Sequence, residues 1–298
     1  MIIIRSVAGL ANQMHQYAFG RAISLKRKDT LFLDTNPFYY DTREYELGIF
    51  TIEANIATNK ERPWYVRLWK NTLLDKLRYP LNFICRKLDS HYIIENPLHP
   101  KVHTKMFDYN HAVEEKVLNS GGDFYLEGFW HSEKYFAGYE DVIRKDFTLK
   151  EPISDPKNLE VINQMNKTQS VSLHVRRTDY IALGYKLCDM QYYQDAIAYI
   201  QKNVKNPELF IFSDDVTRCK EAFKDYKITE FIDRNTGNNS YKDMMLMAQC
   251  KHNIIANSTF SRRGARLNEN LEKIVIAPAQ RHKSIDYADM IPTSRMRL

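Results

Sequence analysis

Apolar positions begin as a short β-branched run, Ile2 to Ile4, broken by the glycine-containing VAGLAN and followed by a helical repeat from about Ala11 to Lys28. A strand that runs into a glycine turn and opens a helix is the first step of a nucleotide-binding α/β unit. A second strand is predicted at Leu31 to Leu33, ending in Asp34. From about Asn36 to Pro100 aromatic and charged residues alternate without strand spacing, which reads as helices and long loops. FYLEGF (Phe124 to Phe129) predicts another strand and Ser132 to Asp146 a helix. The two prolines of EPISDP (Glu151 to Pro156) then punctuate the chain, and the pattern beyond them is far more regular. Strands at Ser170–Val175, Leu209–Phe212, Ile228–Ile232, Asn253–Ala256 and Ile274–Ile276 alternate with helical patterns at Gln191–Asn203, Val216–Asp225, Tyr241–Cys250 and Arg262–Leu271. That alternation calls for a parallel sheet with right-handed crossovers. The sequence thus predicts an α/β chain of two domains, residues 1–150 and 151–298, the second Rossmann-like.

Composition narrows this picture. A length of 298 residues with 44% apolar positions supports two packed cores. No stretch reaches the ~20 consecutive apolar residues of a membrane span, and MIIIRSVAGLANQ has no basic leader followed by a long apolar run, so a cytoplasmic protein is expected. Cys85, Cys188, Cys219 and Cys250 form no CxxC pair and read as reduced thiols rather than a zinc or disulfide framework. The net charge is +6, and eight basic against three acidic residues between Lys60 and Asp89 supply most of it. Trp64, Tyr65, Trp69, Tyr79 and Phe83 are interleaved there. Such a segment fits a peripheral contact with the inner membrane or a grip on a phosphorylated or lipid-linked substrate. It equally fits a solvated helix pair with its aromatics turned inward. Nucleic acid is not an expected partner, since no RNP, zinc-finger or basic-region motif accompanies the patch.

Ligands of parallel sheets bind beyond the carboxyl ends of strands, so the residues there carry the chemistry. In the second half they are HVRRTDY (His174 to Tyr180), SDD (Ser213 to Asp215) and NSTFS (Asn257 to Ser261). Arginine can fork onto phosphate oxygens, a carboxylate can accept from a base or ribose, and hydroxyls at a helix start can donate to phosphate. The set suits a nucleoside diphosphate. Each residue also has a purely structural use: an arginine salt-bridged to Asp179, Asp214 capping the next helix, Ser261 as an N-cap. Neither GxxxxGK[ST] nor GxGxxG is present, which excludes a P-loop hydrolase and a fingerprint-bearing dehydrogenase. Positive charge must then come from arginine, or from Mg²⁺ or Mn²⁺ on SDD; the cations already in HVRRTDY favour no metal. A general base would come from Asp179, Glu133, His131 or His15.

GLANQMHQYAFGRAIS (Gly9 to Ser24), GFWHSEKYF (Gly128 to Phe136), HVRRTDY, FSDD and DMMLMAQCKHNIIANSTFS (Asp243 to Ser261) together resemble the bacterial α-1,2-fucosyltransferases of glycosyltransferase family 11. HVRRTDY also resembles the arginine motif of α-1,6- and protein O-fucosyltransferases. The resemblance implies a GT-B-like pair of Rossmann-type domains facing a cleft, the first on the acceptor side and the second holding the donor, with the C-terminal tail packing back on the first. It implies metal-independent, inverting transfer of fucose from GDP-β-L-fucose to the 2-hydroxyl of a terminal galactose in an oligosaccharide or glycolipid precursor. By position, Arg176 would neutralise the β-phosphate of the departing GDP, with His174 and Arg177 shaping the pocket and Asp179 beside them. Asp214, with Ser213, would meet guanine or ribose; Ser258, Thr259 and Phe260 would form the diphosphate loop, and Asn12 would face the cleft from the first domain. A transferase of another linkage or GDP-sugar, and a non-catalytic polyanion- or membrane-binding protein, are the rival readings. The chain departs from the family where FSRRGARLN places Arg262, Arg263 and Arg266 at usual tryptophan positions, as does Arg295, and where His15 and His131 replace Phe and Gln. Buried without partners, such guanidinium groups would cost several kcal/mol. An exposed helix, acidic or phosphate partners, or an altered chain would each account for them.

Overall fold

A computed structural model describes residues 1–36, 43–67, 84, 88–95, 109–182, 187–279 and 296–298, the side chains of Arg67, Asp179 and Ala182 excepted. Most of the basic segment at 60–89, Cys85 and Arg295 therefore lie outside the described residues. The chain divides into two compact units, the first ending at Glu151 and the second starting at Pro152.

The first unit is built on a parallel sheet of β1 (Ile2–Arg5), β2 (Leu31–Asp34), β3 (Asn55–Ile56), β4 (Tyr92–Ile94) and β5 (Phe124–Glu127), in the order β3-β2-β1-β5-β4. Helix α1 (Leu10–Arg27) follows β1 and ends where Lys28 turns left-handed and returns its N–H to Leu25 and Ser24. Its Gly20 is a close-approach position: a Cβ there would lie 2.9 Å from Leu31 and 3.1 Å from Ile4, so glycine lets the helix lie directly on the sheet. Ile2, Ile4, Leu33, Phe124 and Leu126 are buried in this core, each contributing ~1.5–3 kcal/mol of transfer free energy. Short α2 (Trp64–Arg67), α3 (His111–Asn119) and α4 (Glu140–Asp146) complete the described helices of the unit. Two expectations fail here. The strand predicted to Phe129 stops at Glu127, because the chain turns at Gly128 to put Trp130 in the left-handed region at φ 54°. The helix predicted from Ser132 is a single 3-10 turn, Glu133–Phe136, separated from α4 by Gly138 at φ 84°.

The second unit carries β6 (Gln169–Val175), β7 (Pro207–Ser213), β8 (Ile228–Ile232), β9 (His252–Ile254), β10 (Val275–Ala277) and β11 (Met296–Arg297), again all parallel, in the order β11-β10-β9-β6-β7-β8. Helix α5 (Pro156–Lys167) leads into β6, and between the strands run α6 (Thr178–Ala182), α7 (Met190–Asn203), α8 (Val216–Ala222), α9 (Tyr241–Gln249) and α10 (Thr259–Leu267). Val171, Leu173, Ile197, Ile200, Leu209, Ile211 and Ile254 form its main core. The last described residues, β11, join this sheet beside β10; the rest of the tail, 280–295, lies outside the described residues. Both units are Rossmann-type and the α/β architecture is GT-B-like.

Helix α10 begins at Thr259, earlier than the pattern predicts, because Ser258 caps it. Arg262 and Arg263 on it are each 3% exposed, which removes the exposed-helix explanation for them. Gly264 lets α10 close on α9: a Cβ there would sit 2.9 Å from Met247 Cβ.

Candidate active site

Strand order in the six-stranded sheet reverses once, and a parallel sheet opens a crevice at such a point. In the second unit the reversal lies between β6 and β9, whose carboxyl ends lead into HVRRTDY and NSTFS. Tyr180 bridges the two loops, its hydroxyl donating to the Asn257 carbonyl at 3.1 Å, and the Tyr193 hydroxyl donates to the His174 carbonyl at 3.1 Å. The arginine loop is then tied to β7. Asp214 accepts from the Arg177 N–H at 2.9 Å, the Thr178 N–H at 3.1 Å and the Thr178 hydroxyl at 2.7 Å. The same carboxylate lies 3.5 Å from Arg176 Nε, and Asp215 lies 3.4 Å from Arg177 Nε. Arg176 and Arg177 keep about a quarter of their side-chain surface open to solvent. These half-covered pairs are of the kind worth little by themselves, and a phosphate can replace the carboxylate as partner.

Asp214 is thus a clamp on the arginine loop. The helix cap is its neighbour Asp215, which accepts from the Arg218 N–H at 3.2 Å, while the Ser213 hydroxyl accepts from the Asp215 N–H at 3.0 Å. The N-cap of α10 is Ser258, accepting from the Phe260 N–H at 3.2 Å, and Ser261 instead accepts from the Ala256 N–H at 3.3 Å. His174 is buried, its ring 6.0 Å from that of Phe260, so β6 and the NSTFS loop meet across the crevice. Thr259 and Phe260 are half-exposed at the helix start. The structure therefore gathers His174, Arg176, Arg177, Ser213, Asp214, Ser258, Thr259 and Phe260 at one end of the sheet. Asp179 follows Thr178 in α6, its side chain outside the described residues. Among the described residues no group of three His, Cys, Asp or Glu side chains is placed to hold a metal ion. Behind the loop, burial pushes the Asp243 carboxyl up to about 7 despite a 2.6 Å hydrogen bond from the Asn235 amide.

In the first unit the corresponding junction is that of β1 and β5, the first and last strands in sequence, which lie side by side without a reversal of order. Gln16 spans it, accepting from the Val7 N–H at 2.9 Å and donating to the Gly128 carbonyl at 3.1 Å. Gln13 donates to the Ala8 and Glu44 carbonyls at 2.7 and 2.8 Å and accepts from the Glu46 N–H at 2.9 Å. Asn12, half-exposed one residue earlier, meets the His131 ring at 3.0 Å. Buried Glu95 accepts from the Phe129 and Trp130 N–H groups at 2.8 and 2.7 Å, and burial outweighs these donors, pushing its carboxyl up to about 7. Asp34, fully buried, accepts from Arg62 Nε and from the Tyr125 hydroxyl, both at 2.8 Å, so that arginine of the basic segment is spent inside the unit. Asn12 belongs to the first unit.

Over residues 1–287 the sequence matches the family profile described as Glycosyl transferase family 11. The chain belongs to this family. Among family 11 relatives, an α-1,2-colitosyltransferase of Escherichia coli is 32% identical, covering 93% of this chain and 91% of the relative. The O-antigen biosynthesis glycosyltransferase WbnK of E. coli is 29% identical, with 91% of each chain covered. A mouse galactoside 2-alpha-L-fucosyltransferase, Sec1, is 24% identical over 52% of this chain and 45% of its own. In fold, the chain is similar to the α-1,6-fucosyltransferase NodZ soaked with GDP-fucose (TM-score 0.50, 16% identity, 89% of this chain and 91% of that one covered). The protein is a family 11 glycosyltransferase. The sequence reading did not name Gln13, Gln16 or Glu95. The signal that could have found the two glutamines is a pair of amides three residues apart just after a glycine turn. Glu95, in a segment without periodicity, carried no signal.

Proposed function

We propose that this family 11 enzyme transfers L-fucose from GDP-β-L-fucose to the 2-hydroxyl of a terminal galactose, with inversion and without a metal ion. The observation carrying the reading is the Arg176–Arg177 loop, held by Asp214 at the reversal point of the second sheet. As the bond between the sugar C1 and the β-phosphate oxygen breaks, that oxygen keeps the electron pair, and Arg176 neutralises the charge that accumulates there. The acceptor oxygen forms the new bond to C1 from the opposite face and gives up its proton. Asp179 is the assigned proton acceptor, next in sequence to the clamped Thr178. Ser258, Thr259 and Phe260 flank the diphosphate, and Asn12 addresses the sugar from the first unit.

Similarity to an α-1,2-colitosyltransferase favours a second donor, GDP-colitose, whose sugar is the 3-deoxy counterpart of L-fucose. Purified protein incubated in EDTA with each GDP-sugar and a set of galactose-terminated oligosaccharides distinguishes the two. An α-1,2-linked product from GDP-fucose, identified by NMR, is the expected result. Product from GDP-colitose alone reassigns the donor. Absence of product and of GDP binding, together with salt-sensitive binding to anionic vesicles, returns the protein to the non-catalytic class.

A further inference from the structure

We propose that His131 is a positioning residue for Asn12 in the transfer reaction, fixing the direction of its amide, and is not the base. The inference rests on the reading of the protein as a transferase. It starts from the junction of β1 and β5 in the first sheet, where the turn after β5 faces the first turn of α1. Three amides stand on that turn of α1 and the next. Those of Gln13 and Gln16 are buried and consumed by backbone groups of the surrounding loops. Asn12 is the half-exposed member, and its Oδ1 faces His131 Nε2 at 3.0 Å. An amide oxygen is acceptor only, so the facing ring nitrogen carries the proton. Asn12 then presents Nδ2, a donor, as its other polar atom.

The imidazole is itself held. It stacks on Phe129 at 5.3 Å and takes the edge of His15 at 4.9 Å, and it is 5% exposed. The turn that carries it is fixed in turn by Glu95, whose carboxylate receives two successive N–H groups just before His131, the second from Trp130, which is in the left-handed region. Such a carboxylate in a backbone concavity sets the exit direction of the chain. A base must instead offer a lone pair to the incoming hydroxyl; Nε2 has none to offer while it donates to Asn12, and Nδ1, the nitrogen that keeps one, is buried. Protonation of the ring adds its proton elsewhere and leaves this hydrogen bond in place.

The test uses the full chain and its His131→Gln, His131→Phe and Asn12→Ala variants. Glutamine can donate across the same gap without titrating, whereas phenylalanine keeps the ring packing and loses the donor. His131→Phe is expected to lower kcat about tenfold, the loss of roughly one hydrogen bond, with GDP affinity unchanged, and His131→Gln to restore most of it. In the Asn12→Ala background His131→Phe should cost nothing further. The acid limb of the pH profile should be the same in His131→Gln as in the parent. An inactive His131→Gln protein, with His131→Ala rescued by added imidazole, would make His131 the base and overturn the inference; so would full kcat in His131→Phe. If the parent transfers no sugar at all, the functional reading fails separately. The inference is then decided by the Asn12 side-chain amide resonance, which must shift in His131→Phe and return in His131→Gln.

Discussion

The two units share an all-parallel sheet and part company in electrostatics. Each has a glycine- or hydroxyl-rich loop beyond its central pair of strands, β1 and β5 in the first and β6 and β9 in the second. In the second unit the loops are fastened by charge: Asp214 and Asp215 hold Arg176 and Arg177. In the first they are fastened by neutral amides, while the arginines turn inward, Arg5 to Glu127 and Arg62 to Asp34. The difference teaches what each end can bind. Guanidinium groups in weak, half-exposed pairs are ready to exchange a carboxylate for a phosphate. An end lined by amides, as the described residues of the first unit are at this point, is complementary to a neutral polyol. A GDP-sugar has one part of each kind.

The sharpest way to break this contrast is to discharge the second unit. Arg176→Ala is expected to cut kcat by roughly 10²- to 10³-fold, the usual loss for one preorganised electrostatic donor, while circular dichroism stays unchanged. An unaltered rate would remove Arg176 from the mechanism. Each unit also holds one acid raised to about 7 by burial, Glu95 in the first and Asp243 in the second. For Glu95 the folded state holds the proton more tightly than the unfolded chain. It therefore lends stability that is complete below about pH 4.5 and lost as the pH rises through about 7. Relative to Glu95→Gln, the parent should lose up to about 3 kcal/mol between pH 4 and 8, measured by urea unfolding. A pH-independent difference would show that Glu95 is not buried as a titrating acid.

A smaller change tests the amide end by itself. Gln16→Leu leaves the Val7 N–H and the Gly128 carbonyl without their side-chain partner, at a cost of about 2 kcal/mol. Unfolding should register that cost with GDP affinity unchanged, since the nucleotide is assigned to the other unit. A large loss of GDP binding would mean the two ends are not chemically separate.

How much of this could be read from sequence depended on length of pattern and on reach. The β1–α1 opening and the strand and helix alternation after residue 168 were legible because short apolar runs such as Ile2–Ile4 and Leu209–Phe212, and the clear breaks between them, specify them. Strands β3 and β4, of two and three residues, were not: they are too short to show alternation, and the sheet recruits them through neighbours. Helix α5 hid inside what looked like a linker, because Asp155 caps it and Pro156 occupies its first turn, a place where proline is tolerated. Residues at the site were legible as chemistry, since the strand-end rule points to Arg176 and Asp214. Their partnership was not, because Asp214 reaches the arginine loop across two strands that are distant in sequence.

Ser258 gives the finest probe, because two of its roles make opposite demands. As the N-cap of α10 it needs only a side-chain oxygen to accept from the Phe260 N–H. As part of a diphosphate loop it must also tolerate two phosphates nearby. Ser258→Ala removes the cap and should cost about 1 kcal/mol of stability. Ser258→Asp keeps an accepting oxygen and adds the negative charge that a helix start favours, so its stability should match the parent's. The same charge would repel a diphosphate, and GDP affinity should fall at least tenfold, by calorimetry, through like-charge repulsion at close range. Stability retained with affinity lost places the phosphates at this loop and extends the cationic end of the second unit from β6 to β9. Stability and affinity both retained would confine Ser258 to capping, and the phosphate site would shrink to the arginine loop.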